Sequence, residues 1–155
     1  MIKRNIFWIF LAVVFGSCDP DRVYEKNEEI DDHEWRAEEA KVFQVVLEDT
    51  VQRYNVYVNV RNAGYYRYSN LFLFINTYLP TGEIQRDTLE CRLATPEGKW
   101  LGDGLGDIWD NRILFKPGVR FPLNGEYKFE IIQAMREDPL HGIMDTGIRI
   151  EKSDN

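Results

Sequence analysis

The sequence predicts an all-β domain, built as an antiparallel two-layer sandwich. Apolar and polar residues alternate with a period of two in several short segments, which is typical of strands with one wet face. Turn-forming groups of Gly, Pro and Asn separate these segments at strand-like spacing. Aromatic residues make up 14% of the chain, and such side chains favour strands over helices. Roughly seven to nine strands fit this pattern, and a jelly roll is one arrangement that suits them.

The first seventeen residues predict a secretory signal peptide. Lys3 and Arg4 give the chain a basic start, and Gly16 and Ser17 are small residues before Cys18. Between them, residues 6–15 (IFWIFLAVVF) form an apolar run of ten, too short for a membrane-spanning helix of about 20 residues. A basic start, a short apolar centre and small residues at the exit are the pattern of a cleaved signal.

Cys18 is predicted to carry a lipid. Small residues directly before a cysteine resemble the bacterial lipobox, although Phe15 stands where that motif usually has Leu. The resemblance implies that the Cys18 thiol receives a diacylglycerol and that the chain is cut before it, leaving residues 1–17 as a lipoprotein signal peptide. The alternative is an ordinary signal peptide with an incidental cysteine. Two or more acyl chains would anchor the protein stably.

Residues 18–34 are predicted to be the lipidated cysteine followed by a solvated acidic tether. Residues 19–34 hold eight acidic and two basic side chains, a composition typical of exposed chain. Val23 and Tyr24 leave room for a short edge strand within it. The sandwich domain is accordingly predicted to span residues 35–155.

The strand predictions rest on segments in which apolar residues recur at every second position. Residues 71–75 (LFLFI) differ because they are apolar on both faces, which is expected of a central strand. The alternating sets are Phe43, Val45 and Leu47; Val56, Val58 and Val60; Tyr127, Phe129 and Ile131; and Ile148 with Ile150.

The charge of the chain excludes some partners. The net charge is −7, and it becomes −9 after residue 17 because Lys3 and Arg4 are the only charged residues before that point. Such a charge repels phosphate backbones, so no nucleic-acid partner is predicted. It also disfavours electrostatic docking on anionic lipid, so membrane attachment needs the covalent anchor.

No catalytic residue, cofactor or metal site is predicted. His33 and His141 do not share the spacing of zinc ligands, and no serine lies in a nucleophile motif. Cys91 shares a strand face with Leu89 and Leu93, which predicts a buried, inert thiol.

Residues 98–111 (GKWLGDGLGDIWDN) allow three interpretations. The first is a long glycine-bent connection with Trp100 and Trp109 packed over the core. The second is a calcium loop, although the ligand order of an EF-hand is missing. The third is an envelope enzyme, which requires Asp103, Asp107 and Asp110 to converge in a pocket.

Aromatic residues in predicted loops are candidates for contact with a partner protein or a sugar ring. Arg136, in the loop after a strand, is a further candidate contact. The predicted set is Tyr65, Tyr66, Tyr68, Trp100, Trp109 and Arg136.

The chain resembles the gliding motility lipoprotein family GldH. The resemblance rests on residues 59–75 (NVRNAGYYRYSNLFLFI), 86–91 (RDTLEC), 98–111, 119–122 (VRFP), 133–136 (QAMR) and 142–152 (GIMDTGIRIEK), together with Cys18.

This resemblance implies a non-enzymatic lipoprotein of the cell envelope, anchored on the extracytoplasmic side, with the outer membrane favoured over the inner. It implies an accessory or assembly role in the gliding motility machinery linked to type IX secretion, with other envelope proteins of that apparatus as partners. The alternative function is a lipid-anchored carbohydrate-binding β-sandwich module. Only Cys18 carries over from the family as a functional position.

Overall fold

The computed structural model describes residues 19–154. This part of the chain contains eleven strands and one 3-10 turn. The strands are β1 (Arg22–Glu29), β2 (Glu34–Trp35), β3 (Lys41–Leu47), β4 (Arg53–Ala63), β5 (Asn70–Tyr78), β6 (Ile84–Arg92), β7 (Asp103–Leu105), β8 (Ile108–Arg120), β9 (Gly125–Gln133), β10 (Leu140–His141) and β11 (Ile143–Ser153), and the 3-10 turn is Asp31–His33. The predicted signal peptide and Cys18 lie outside the described residues.

The long strands form two antiparallel sheets with the topology of a jelly roll. One sheet has the order β1-β11-β4-β8-β7 and the other β3-β9-β5-β6. With the short strands β2, β7 and β10 set aside, the first long strand pairs with the eighth, the second with the seventh, the third with the sixth and the fourth with the fifth. This nested pairing is that of a double-sheet jelly roll. The predicted all-β sandwich is confirmed.

The predicted tether is wrong over most of its length, because β1 is the first strand of the jelly roll. Its pairing with β11 runs from Arg22 opposite Glu151 to Glu29 opposite Asp145. The domain therefore begins before residue 35. Strand β1 lies at a sheet edge and is held by backbone hydrogen bonds and ion pairs. For that reason it carries almost no apolar pattern that the sequence could reveal.

The core lies between the sheets and is built from the alternating apolar residues that the sequence predicted. Valines 56, 58 and 60 of β4 and isoleucines 148 and 150 of β11 face Phe43, Leu73 and Phe129 of the other sheet, and all are buried. Strand β5 departs from its prediction in one respect. Although it is central in its sheet, Phe72 and Phe74 face outward and stay exposed, Phe74 by 49%.

The sandwich has two ends with different connections. The N-terminal end holds residues 19–21 and the turns 48–52, 79–83 and 121–124. The loop end, about 33 Å away along β4, holds the segments 30–40, 64–69, 93–107 and 134–142. Strand β1 runs from the N-terminal end to the loop end. Any chemistry of the long connections is thus gathered at the loop end.

Candidate interaction surfaces

All six predicted contact residues lie at the loop end, but the structure divides them. Tyr65 is 57% exposed, and Tyr68 and Arg136 are also exposed. Tyr66 is buried, and its hydroxyl donates a 2.8 Å hydrogen bond to the Asn70 carbonyl oxygen. Tyr66 therefore supports the loop from inside and offers almost no surface to a partner.

The two tryptophans pack on each other rather than forming an open platform. Their ring centroids are 5.6 Å apart with a tilt of 35°, and Trp100 also packs against the core. Glycine is required beneath Trp109, because a Cβ atom on Gly104 would lie 2.8 Å from the indole nitrogen and one on Gly64 would lie 3.0 Å from the ring. Trp100 covers the core as the first interpretation predicted, but residues 103–105 and 108–111 belong to strands β7 and β8 and are not an irregular connection.

Four side chains at the loop end form a hydrogen-bonded cluster that the sequence did not predict. The Tyr68 hydroxyl donates to a Glu137 carboxylate oxygen at 2.7 Å, and His141 Nδ1 lies 3.1 Å from the other oxygen. His141 Nε2 lies 3.4 Å from Glu34. The hydrogen bond from Tyr68, followed by that from His141, lowers the pKa of Glu137, and the same bond raises the pKa of Tyr68. The pairing of β2 with β10 brings Glu34 and His141 together across more than a hundred residues.

The backbone beside this cluster is held in an uncommon conformation. Asp32 and His33 have φ angles of +53° and +56°, a left-handed region that costs non-glycine residues roughly 1 kcal/mol or more each. The Gly142 N–H donates to the His33 carbonyl at 3.0 Å, and His33 Nδ1 lies 3.1 Å from the Tyr65 hydroxyl. The exposed Tyr65 ring is thus braced from the first connection of the fold.

The three aspartates of residues 98–111 do not gather around a common centre. Asp110 pairs with Arg61 at 2.6 Å. Asp103 of β7 lies opposite Asp110 in the adjacent strand β8, whereas Asp107 lies against Gly64. Between residues 19 and 154, no group of three or more His, Cys, Asp or Glu side chains is placed to hold a metal ion.

A polar groove of about 370 Å³ crosses the outer face of the five-stranded sheet. Three of its charged side chains are paired with one another: Arg61 contacts both Asp110 and the buried Asp145, the latter at 3.0 Å. Burial raises the pKa of Asp145, and the attraction of Arg61 does not offset it. Arg61, Asp110 and Asp145 are thus paired with one another inside the groove.

A buried arginine holds Asp19, the first residue that the structure describes, on the sheet. Arg149 of β11 is 3% exposed, and its guanidinium donates to carboxylates of Asp19, Glu25 and Glu151. The hydrogen bond from Arg149 lowers the pKa of Asp19. Burial would raise the pKa of Glu25, but hydrogen bonds from Asn59 and Arg149 outweigh it and the pKa is lowered. Residue 19 is therefore fixed, and Cys18 is its covalent neighbour.

These features define a class: a single jelly-roll domain with braced loop surfaces at one end and a fixed Asp19 at the other. No helix among residues 19–154 has the length and apolar character needed to cross a membrane. The chain belongs to the GldH lipoprotein family, whose model matches residues 22–150. Membership of a lipoprotein family implies a membrane-anchored location in the cell envelope.

Two relatives show the same family over nearly the full length. A protein named gliding motility lipoprotein GldH homolog, from Christiangramia forsetii, is 42% identical over 155 residues, covering 96% of this chain and 94% of the relative. Gliding motility lipoprotein GldH of Flavobacterium johnsoniae is 34% identical over 160 residues, with 99% of both chains covered. The family resemblance drawn from the sequence is thereby confirmed.

Among solved structures, the crystal structure of dimeric latent PorU from Porphyromonas gingivalis matches 86% of this chain and 13% of that chain. The TM-score is 0.38 and the identity 11%, so no functional conclusion follows from the likeness.

Proposed function

We propose that this protein is a non-enzymatic lipoprotein, anchored through Cys18, that acts as an accessory or assembly component of the gliding motility machinery linked to type IX secretion. The observation that carries the proposal is the unequal distribution of connections. Every connection longer than five residues lies at the loop end, opposite residue 19. Surface loops on a rigid scaffold are where binding residues concentrate.

The exposed side chains at the loop end suit contact with another protein. Tyr65, Tyr68 and Arg136 are exposed there, and tyrosine and arginine are enriched at the centres of protein interfaces. Tyr65 is braced by His33 and Tyr68 by Glu137, so little side-chain entropy is lost when a partner binds. Both named relatives are gliding motility lipoproteins, which supports envelope proteins of that machinery as the partners.

The carbohydrate-binding alternative loses support. A sugar platform needs open aromatic faces, whereas Trp100 and Trp109 lie against each other and Tyr66 is buried. We therefore keep one function, and propose the outer membrane as its location.

Crosslinking in intact cells tests the partner. Tyr65→Cys and Phe74→Cys each place a thiol at an exposed aromatic position, the first at the loop end and the second on a sheet face. A thiol-reactive photocrosslinker should capture envelope proteins of the motility or secretion machinery from position 65. Capture of none of them from position 65, or equal capture from position 74, would contradict the proposal.

The anchor is tested separately. Metabolic labelling with palmitate should label the wild-type protein and leave the Cys18→Ser variant unlabelled. The labelled protein should sediment with outer-membrane fractions in a density gradient. An unlabelled wild-type protein would remove the lipid from the proposal, and an inner-membrane position would correct the location.

A further inference from the structure

We infer that the N-terminal end is a bilayer-contact surface, with the turns 48–52 and 121–124 resting on lipid headgroups and holding the loop end upright above the membrane. The inference rests on the proposed lipidation of Cys18. It adds an orientation and a second, non-covalent contact with lipid that the anchor alone does not provide.

The first argument is that the connection between the lipid and the domain is short. Neighbouring Cα atoms are about 3.8 Å apart, so Cys18 lies one such step from Asp19, whose carboxylate is bound by the buried Arg149. The Asp21 carbonyl also accepts a 2.8 Å hydrogen bond from the Lys152 N–H. A lipid on Cys18 therefore brings this end of the sandwich to the membrane surface.

The second argument is which turns surround residue 19. Arg22 of β1 lies opposite Glu151 of β11, which lies opposite Asn55 near the start of β4. The turn 48–52 leads directly into β4, and the turn 121–124 follows the end of β8, where Arg120 lies opposite Arg53. The strand register thus places both turns at the same end as the lipid-bearing residue.

The third argument is the chemistry of those turns. Val51 is 75% exposed and Leu123 is 36% exposed, and hydrogen bonds fix the backbone of the turn that carries each of them. Asp49 accepts from the Val51 and Gln52 N–H groups at 2.9 Å each. The Tyr127 hydroxyl lies 3.2 Å from the Leu123 N–H and donates to its carbonyl at 2.8 Å. Transfer of exposed aliphatic side chains from water into the headgroup boundary lowers the free energy.

The loop end carries a comparably exposed aliphatic tip. Leu105 is 84% exposed in the β7–β8 hairpin, and Asp103 and Asp107 flank it. Acidic residues accompany Val51 as well, because Glu48 and Asp49 lie in the same turn. Charge therefore does not separate the two tips, but distance does: the loop end lies about 33 Å along β4 from the end that holds Asp19, so Leu105 is far from the headgroups when Val51 rests on them.

The pair Val51 and Leu105 makes a matched experiment. Val51→Cys and Leu105→Cys are each made in the lipidated full-length protein, labelled with the fluorophore NBD, and reconstituted in vesicles of phosphatidylethanolamine and phosphatidylglycerol. Cys91 is fully buried and should not be labelled. The vesicles also contain lipids that carry a quencher close to the headgroup. These lipids should quench NBD at position 51 at least about three times as strongly as at position 105, because groups at the interface lie within about 5–10 Å of the headgroup boundary. Leu123→Cys should behave like Val51→Cys.

Flotation of the vesicles separates failure of this inference from failure of the anchor. If the protein floats with the vesicles and positions 51 and 105 are quenched equally, the orientation is wrong while lipidation stands. If it does not float, and mass spectrometry finds no lipid on Cys18, the anchor is wrong and the orientation falls with it.

Discussion

Replacement of Arg149 by Met is the sharpest test of how Asp19 and β1 are held on the sheet. Arg149 is 3% exposed and is shared by Asp19, Glu25 and Glu151. Met fills much of the same volume but leaves three carboxylates without their common cation. Loss of one partner from a buried ion pair costs about 3–5 kcal/mol. Glu25 and Glu151 keep about a fifth of their exposure, so solvent screening reduces the expected cost to about 2–3 kcal/mol.

Urea unfolding of the unlipidated chain from residue 19 measures this cost. For a domain of this size, 2–3 kcal/mol corresponds to a midpoint about 1–2 M lower. The matched control is Arg36→Met, which removes an exposed arginine 3.7 Å from Glu39 and should change the free energy of unfolding by less than about 0.5 kcal/mol. Equal midpoints for the two variants would refute the role assigned to Arg149.

The pH dependence of the same comparison tests the cause. The pKa values of Asp19 and Glu25 are lowered in the folded protein, below ordinary values of 3.8 and 4.5. Their stabilising effect is therefore complete above pH 4.5 and is lost as the pH falls through the lowered values. Arg149→Met lacks this contribution, so the difference between variant and wild type should shrink below pH 4.5. A difference that stays constant with pH would indicate lost packing instead of lost charge pairing.

Three further predictions address the edge strand, the core thiol and the loop-end cluster. Gly147→Ala would place a Cβ atom 1.9 Å from the Asn27 Oδ1 atom and should cost about 2 kcal/mol, with faster hydrogen exchange in β1; unchanged exchange would contradict the close packing of β1. Burial raises the pKa of the Cys91 thiol to about 12, so it should react with maleimide at pH 8 only after unfolding; rapid labelling of the folded protein would refute the core position. Tyr68→Phe should raise the NMR titration midpoint of Glu137 toward its ordinary range, because the Tyr68 hydrogen bond is the main cause of the lowered pKa; an unmoved midpoint would contradict that cause.

The inner faces of the sheets could be predicted from the sequence because their signal is local. In β4 and β11, every second residue is apolar, and this period alone assigns Val58 and Ile148 to the core. Local chemistry is misleading at residues 117 and 118, because a Pro-Gly pair ordinarily favours a turn. Strand β8 continues through them, and Gly118 takes a φ of +55° and donates its N–H to Asn55 Oδ1 at 2.8 Å.

Features that depend on distant pairing could not be predicted. Strand β1 meets β11 across more than a hundred residues, and its stabilising partner Arg149 is not recognisable as such in the sequence. The histidines raise the same difficulty, since only the pairing of β2 with β10 brings His141 to Glu34. The sequence also did not indicate which of Tyr65 and Tyr66 is buried, because both lie in a connection without strand alternation.

The alternating strand directions of an antiparallel fold lead to one last prediction, about the connection between Cys18 and β1. Successive connections alternate between the two ends, so a lipid before β1 always lies with the turns 48–52, 79–83 and 121–124, and never with the long connections. Twelve Gly and Ser residues inserted between Cys18 and Asp19 would leave this topology intact but add about 20 Å of flexible reach. The altered protein should keep its unfolding free energy and float with vesicles, yet lose the difference in quenching between positions 51 and 105. If the difference in quenching between positions 51 and 105 survives, the turns bind lipid without a short connection to Cys18. The contact between Arg149 and Asp19 then does not orient the domain.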